Sequence, residues 1–124
     1  MKKVAILLVE DYPDTRALMQ LLLESAGFAV TAKEDGADAL EFLAQSIPDL
    51  ILTDLMMPRV SGIELIQRVR SNADISNVPI IAMTAYSSGP IAKAKEAGAN
   101  AILKKPLDIE TIASTIRQLV PAPL

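Results

Sequence analysis

The chain alternates short aliphatic runs with helix-patterned stretches five times over, and this alternation constrains the fold more than any other feature. Val4–Val9, Leu50–Thr53 and Val78–Thr84 are apolar runs with no polar alternation, the pattern of strands buried on both faces. Phe28–Lys33 is more polar and reads as an edge strand, and Ala101–Lys104 as a short fifth strand. Pro13 opens the first helix, where its missing N–H costs nothing; Leu18, Leu21, Leu22 and Ser25 follow helical spacing, and Gly27 ends it. Asp35-Gly36 marks a turn before the stripe Ala37, Leu40, Leu43 and Ala44, which stops short of Pro48. Gly62, Leu65, Ile66 and Val69 stripe the third helix. Pro90–Ala97, closed by Gly98, is the fourth; beyond Ile91 its apolar face is alanine, so it is predicted to dock least firmly. Ile109, Ile112, Ala113, Ile116 and Leu119 or Val120 stripe the fifth, ended by Pro121 and Pro123. Such a succession predicts right-handed crossovers and a parallel sheet covered on both faces: a doubly wound α/β three-layer sandwich.

Composition removes whole classes of chemistry. Cys and His are both absent, which excludes disulfides, thiolate zinc sites, the Ser-His-Asp triad and a phosphohistidine carried by this chain. A net charge of −3 and 3 % aromatic residues argue against direct nucleic-acid binding. The apolar run after Lys2-Lys3 ends at Glu10-Asp11, too short for a signal peptide or a membrane span. The reading is a cytoplasmic chain without membrane association, a single domain over 1–124 with no output domain.

The remaining chemistry collects where a doubly wound sheet forms its sites, beyond the carboxyl ends of the strands. Those ends carry Glu10-Asp11, Asp54, Thr84-Ala85 and Lys104-Lys105-Pro106. If the strand order is 2-1-3-4-5, the first, third and fourth strands are neighbours, and the three carboxylates meet a hydroxyl and a cation at one rim. Close carboxylates cannot all stay ionised unaided: one takes a proton or a cation sits among them. Oxygen donors without His or Cys suit Mg²⁺ or Mn²⁺. Beside such an ion a carboxylate can attack phosphorus and form an acyl phosphate, with a lysine neutralising charge and a hydroxyl binding an oxygen. Each group has an ordinary reading as well: Glu10 and Asp11 suit a helix start, Asp54 a loop start, Thr84 a strand end and Lys105 a solvated charge. Complementary groups on four separate strand ends favour a site.

These residues resemble the receiver domain of bacterial two-component response regulators, over essentially all of 3–120. The resemblance rests on Leu8-Val9-Glu10-Asp11, on Pro48-Asp49-Leu50-Ile51-Leu52-Thr53-Asp54-Leu55-Met56-Met57-Pro58 with Gly62 beyond, on Thr84-Ala85, on Ala97-Gly98-Ala99 and on Lys105-Pro106. It implies the flavodoxin-like (βα)5 fold with order 2-1-3-4-5. It implies Asp54 as phospho-acceptor and Mg²⁺ held by Asp11, Asp54 and the Met56 carbonyl, with Glu10 acting through water. It implies Thr84 as the switch hydroxyl, Ala85 beside it in the phosphoryl-binding segment, and Lys105, before a commonly cis Pro106, as the lysine of the site. Asp54, Thr84 and Lys105 are then the groups that carry the transfer. The donor is a sensor histidine kinase or histidine phosphotransfer protein, and the chain is a signalling switch rather than a classical enzyme.

Three departures accompany the resemblance. Ile102 stands where the family carries an aromatic three residues before the lysine, and Tyr86 is a candidate substitute. Ser87-Ser88-Gly89-Pro90 replaces the more common polar lead into the fourth helix, and the stretch from Thr84 to Gly98 is about one residue short. Met56 and Tyr86 are bulky and poorly suited to positioning an attacking water, which predicts slow self-dephosphorylation. A signal is expected to leave through the face made by helix 4, strand 5 and helix 5, with Arg117 and Gln118 on the exposed side of the last helix. Its recipient is a downstream protein, a phosphotransfer protein or a second copy of the chain, so both a monomer and a phosphorylation-linked homodimer fit. Two other classes fit less well. A haloacid-dehalogenase-like phosphatase needs Asp-x-Asp, and Met56 occupies the second position; a receiver-like interaction module that never takes phosphate has no need of the whole acidic and basic set. Excision from a larger hybrid kinase or regulator is compatible with the same sequence.

Overall fold

A computed structural model describes residues 2–85 and 90–121. Ten elements alternate: β1 (Ala5–Val9), α1 (Pro13–Ser25), β2 (Ala29–Lys33), α2 (Gly36–Leu43), β3 (Leu50–Asp54), α3 (Gly62–Ser71), β4 (Ile80–Thr84), α4 (Pro90–Ala97), β5 (Ala101–Lys104) and α5 (Ile109–Leu119). The five strands form one parallel sheet in the order β2-β1-β3-β4-β5, the flavodoxin-like α/β fold, with β2 and β5 at its edges.

Residue parity sorts the core into two layers. Leu7, Val9, Ile51, Ile80 and Ala82 meet Ala39 and Leu43 of α2, Leu65, Ile66 and Val69 of α3 and Ala94 of α4. Ile6, Leu8, Leu50, Leu52, Ile81 and Met83 meet Met19 and Leu23 of α1 and Ile112, Ala113 and Ile116 of α5. Because both faces are covered, the three central strands show no polar alternation, as the sequence implied. Strand limits move slightly. β1 begins at Ala5, β2 excludes Phe28, β4 begins after Pro79, and β3 extends to include Asp54.

The first two helices differ from expectation in which face they bury. In α1, Met19 and Leu23 point into the core, whereas Leu18, Leu21 and Leu22 are 55 %, 62 % and 38 % exposed. Leucines occupy both sides of this helix, so periodicity alone could not select the buried one. In α2 the buried residues are Gly36, Ala39 and Leu43, and Ala44 is exposed. The α3 stripe holds in full, with Gly62, Leu65, Ile66 and Val69 all buried. Among the described residues of α4, Ala94 is the one fully buried side chain, which fits a thinly docked helix. Gly98 ends that helix at φ +119°, a region open to glycine. Arg117 and Gln118 are exposed, but Arg117 leans towards α1: its guanidinium lies 5.4 Å from the Phe28 ring and donates to the Ala26 carbonyl at 3.3 Å.

Candidate functional site

Three strand ends converge on one rim. Val9 closes β1, and the next two residues are Glu10 and Asp11. Their backbone is fixed from two sides: the Glu10 N–H donates to the Lys33 carbonyl at 3.1 Å, and Arg16 Nη1 in the first turn of α1 donates to the carbonyls of Glu10 (2.9 Å) and Asp11 (3.4 Å). Asp54 is the last residue of β3, paired across the sheet with Met83, one rung short of Thr84. Behind Asp54, Gly62 admits no side chain, because a Cβ there would lie 2.2 Å from the Asp54 carbonyl oxygen. The start of α3 can therefore press against the end of β3, and the Gly62 N–H donates to the Leu55 carbonyl at 3.0 Å.

Lys105 completes the cluster from the far side. Its backbone N–H donates to the Thr84 carbonyl at 2.7 Å, and the Lys105-Pro106 bond is cis. The ammonium donates to Glu10 Oε1 at 2.8 Å and to Asp54 Oδ2 at 2.6 Å. The other Asp54 oxygen, Oδ1, accepts the Met56 N–H at 3.1 Å. Thr84 is fully buried, Asp54 is 7 % exposed, and Ala85 is exposed beside them.

Charge decides what this rim can accept. Glu10, Asp11 and Asp54 each offer a carboxylate oxygen within 4.8 Å of the others. With all three carboxylates ionised, the one ammonium would leave two negative charges uncompensated, the charge of one divalent cation. Burial pushes the Glu10 carboxyl up to about 7; its bond to Lys105 pulls it down, and neighbouring Asp54 raises it further. Glu10 is 0 % exposed, and its Oε2 has no hydrogen-bond partner among the described residues. A buried carboxylate oxygen without a partner is costly unless something else engages it. Burial lowers the pKa of Lys105, but its hydrogen bonds to Asp54 and Glu10 outweigh that and hold it above 10.5, so it stays cationic. An all-oxygen, net-negative donor set of this kind fits Mg²⁺.

Every site residue singled out from the sequence among the described residues lies at this rim. Met56 is 55 % exposed next to Asp54, and Ile102 is partly buried against the layer of α2, α3 and α4. Tyr86, the candidate aromatic readout, lies outside the described residues, as do 87–89. Sequence reasoning missed Arg16, whose partners are backbone carbonyls, and the pair Arg59–Asp35, which spans 24 positions. It also missed an apolar cavity of about 490 Å³ lined by Leu18, Leu22, Pro106, Leu107 and Ile109, which reaches Lys105 and Ala85. The leucine surplus of α1 was the available signal.

Residues 6–117 match the response regulator receiver domain family. The chain is 31 % identical over 119 residues to the response regulator Rre1 of Synechocystis sp., a match that covers 94 % of this chain and 52 % of Rre1. It is 29 % identical over 114 residues to the polar-differentiation response regulator DivK of Brucella abortus, covering 91 % of this chain and 93 % of DivK. Among solved structures, the receiver domain of sensor histidine kinase PA1611 from Pseudomonas aeruginosa superposes with a TM-score of 0.91 at 30 % identity, over 98 % of this chain and all of that one. That structure holds a magnesium ion coordinated in the active-site cleft. The chain belongs to the response regulator receiver family of two-component signalling: a phosphoacceptor signalling module rather than a classical enzyme. Receiver domains of this family work with histidine kinases. The chain spans about half the length of Rre1, and of the similar regulator YkoG of Bacillus subtilis. Among the described residues no helix is long and apolar enough to cross a membrane.

Proposed function

We propose that residues 1–124 act as one receiver domain that takes a phosphoryl group onto Asp54 from a histidine kinase or histidine phosphotransfer protein. The observation that carries this reading is the bridge of Lys105 between Asp54 and Glu10 within a cluster of three carboxylates, beside Glu10 Oε2, which has no hydrogen-bond partner among the described residues. Glu10, Asp11, Asp54 and the Met56 carbonyl would hold Mg²⁺, and Mn²⁺ suits the same donors. When bound, the ion supplies charge neutralisation at the transferring group.

The chain's own residues supply the rest. A carboxylate oxygen of Asp54 attacks phosphorus, the phosphorus–nitrogen bond to the donor ring, protonated on its other nitrogen, breaks, and the electron pair leaves with that nitrogen, giving an acyl phosphate and a neutral imidazole. Lys105, already bonded to Asp54, follows the new negative charge with its ammonium. The Thr84 hydroxyl and the Ala85 N–H, at the end of β4, would donate to the phosphoryl oxygens. The apolar cavity lined by Leu18, Leu22 and Ile109 opens beside Lys105 and gives the helix of a protein donor a foothold next to the acceptor.

Phosphorylation adds about one negative charge and strong acceptor oxygens. Movement of Thr84 and Lys105 towards that charge biases α4, the thinly packed helix, and changes the affinity of the α4–β5–α5 face for a downstream partner or a second copy. The test is intact-protein mass after incubation with acetyl phosphate, with and without Mg²⁺, for wild type and Asp54→Asn. One added phosphoryl group that requires both the metal and Asp54 is the expected result. No addition under any condition, with the fold intact, would overturn the reading in favour of a constitutive interaction module.

A further inference from the structure

The loop that follows Asp54 is held by a clamp made of residues outside the carboxylate cluster. Arg59 sits at φ +64°, a left-handed conformation that side-chain-bearing residues rarely adopt, so its surroundings must impose it. Its guanidinium supplies the grip: Nε donates to Asp35 Oδ2 at 2.7 Å and Nη2 to Asp38 Oδ1 at 3.3 Å. Asp35 is itself immobilised. It is 4 % exposed and caps α2 by accepting the Asp38 N–H on Oδ1 at 2.9 Å. Backbone contact reinforces the pairing, because the Val60 carbonyl lies 2.4 Å from where a Cβ on Gly36 would stand. Glu34, Asp35 and Asp38 form a second acidic cluster, and Arg59 pairs with two of its three carboxylates.

The clamped loop runs from Asp54 to Gly62 and carries Met56, whose N–H bonds Asp54 Oδ1. Both ends are pinned, by β3 and by the Gly62 N–H on the Leu55 carbonyl. Arg59 fixes what lies between. We propose that Arg59 and Asp35 are positioning residues for the phosphoacceptor site: their ion pair sets the backbone at Met56 and thereby the affinity of the site for its divalent cation. The inference rests on the function proposed above.

The test separates the two. Arg59→Asn keeps a residue type that tolerates the left-handed region, and Asp35→Asn keeps a helix cap; each removes the ion pair. Mg²⁺ alone is titrated into the full chain by calorimetry, for wild type, both variants and Arg68→Ala, which loses only an exposed pair with Glu64 on α3. Both clamp variants are expected to weaken Mg²⁺ binding by about tenfold, the low end for a group that orients ligands indirectly. Their acetyl phosphate reaction should slow at limiting Mg²⁺ and recover at saturating Mg²⁺. A merely structural role would lower the melting temperature and leave the Mg²⁺ affinity within about twofold of wild type, and that result overturns the inference. Failure of wild type to bind Mg²⁺ or take phosphate would instead overturn the proposed function and this inference together.

Discussion

Lys105 pairs with both Glu10 and Asp54 and so links the ends of β1 and β3 through one ammonium. Its importance was legible because it directly precedes proline at a strand end, as were Glu10, Asp11, Asp54 and Thr84 at theirs. Arg59 and Arg70 were not legible. Arg70 bonds the carbonyls of Ser76, Val78 and Gly98 and the Asn100 side chain, and no residue type in the sequence announces a backbone acceptor. Two predictions belong at this scale. Met56 and Tyr86 are bulky and poorly suited to positioning an attacking water, so Met56→Asn with Tyr86→Glu should release phosphate faster than wild type; an unchanged decay of the phosphorylated mass would contradict that. Asp35 concerns pH. Burial raises its carboxyl, but the Asp38 N–H and Arg59 outweigh burial and hold it below 3.8. A depressed carboxylate adds stability above its unfolded pKa and loses it as pH falls through the folded value. The melting-temperature deficit of Asp35→Asn should therefore be full at neutral pH and shrink below 3.8; a deficit unchanged in acid would contradict the assignment.

Elements were readable where one face was apolar and the other polar, as in α3 and α5. They were misread where both faces carry leucine, as in α1: Met19 and Leu23 pack on the sheet, Leu18 and Leu22 line the cavity beside Lys105, and Leu21 is exposed. The surplus that obscured the packing thus marks a candidate docking face. The junction of β3 and α3 is the tightest in the site, because Gly62 abuts the Asp54 carbonyl. Gly62→Ala should cost roughly 1–3 kcal/mol, as forced overpacking does. Urea unfolding measures this, and a midpoint equal to wild type would show that α3 can shift away without penalty.

For the molecule as a whole, ten alternating elements follow from hydrophobic patterning, while strand order came from the family resemblance and is observed as β2-β1-β3-β4-β5. That order places the ends of β1, β3 and β4 side by side and so converts scattered residues into one charged rim. Of three adjacent carboxylates, Asp54 is proposed to take the phosphoryl group while the others hold the cation. Borohydride reduction of the phosphorylated chain, followed by peptide sequencing, tests it most directly, since reduction turns an aspartyl phosphate into homoserine. Homoserine at position 54 alone is the predicted result. Label at Asp11, a reduced glutamate at Glu10, or reduction at none of the three despite added phosphoryl mass would contradict it.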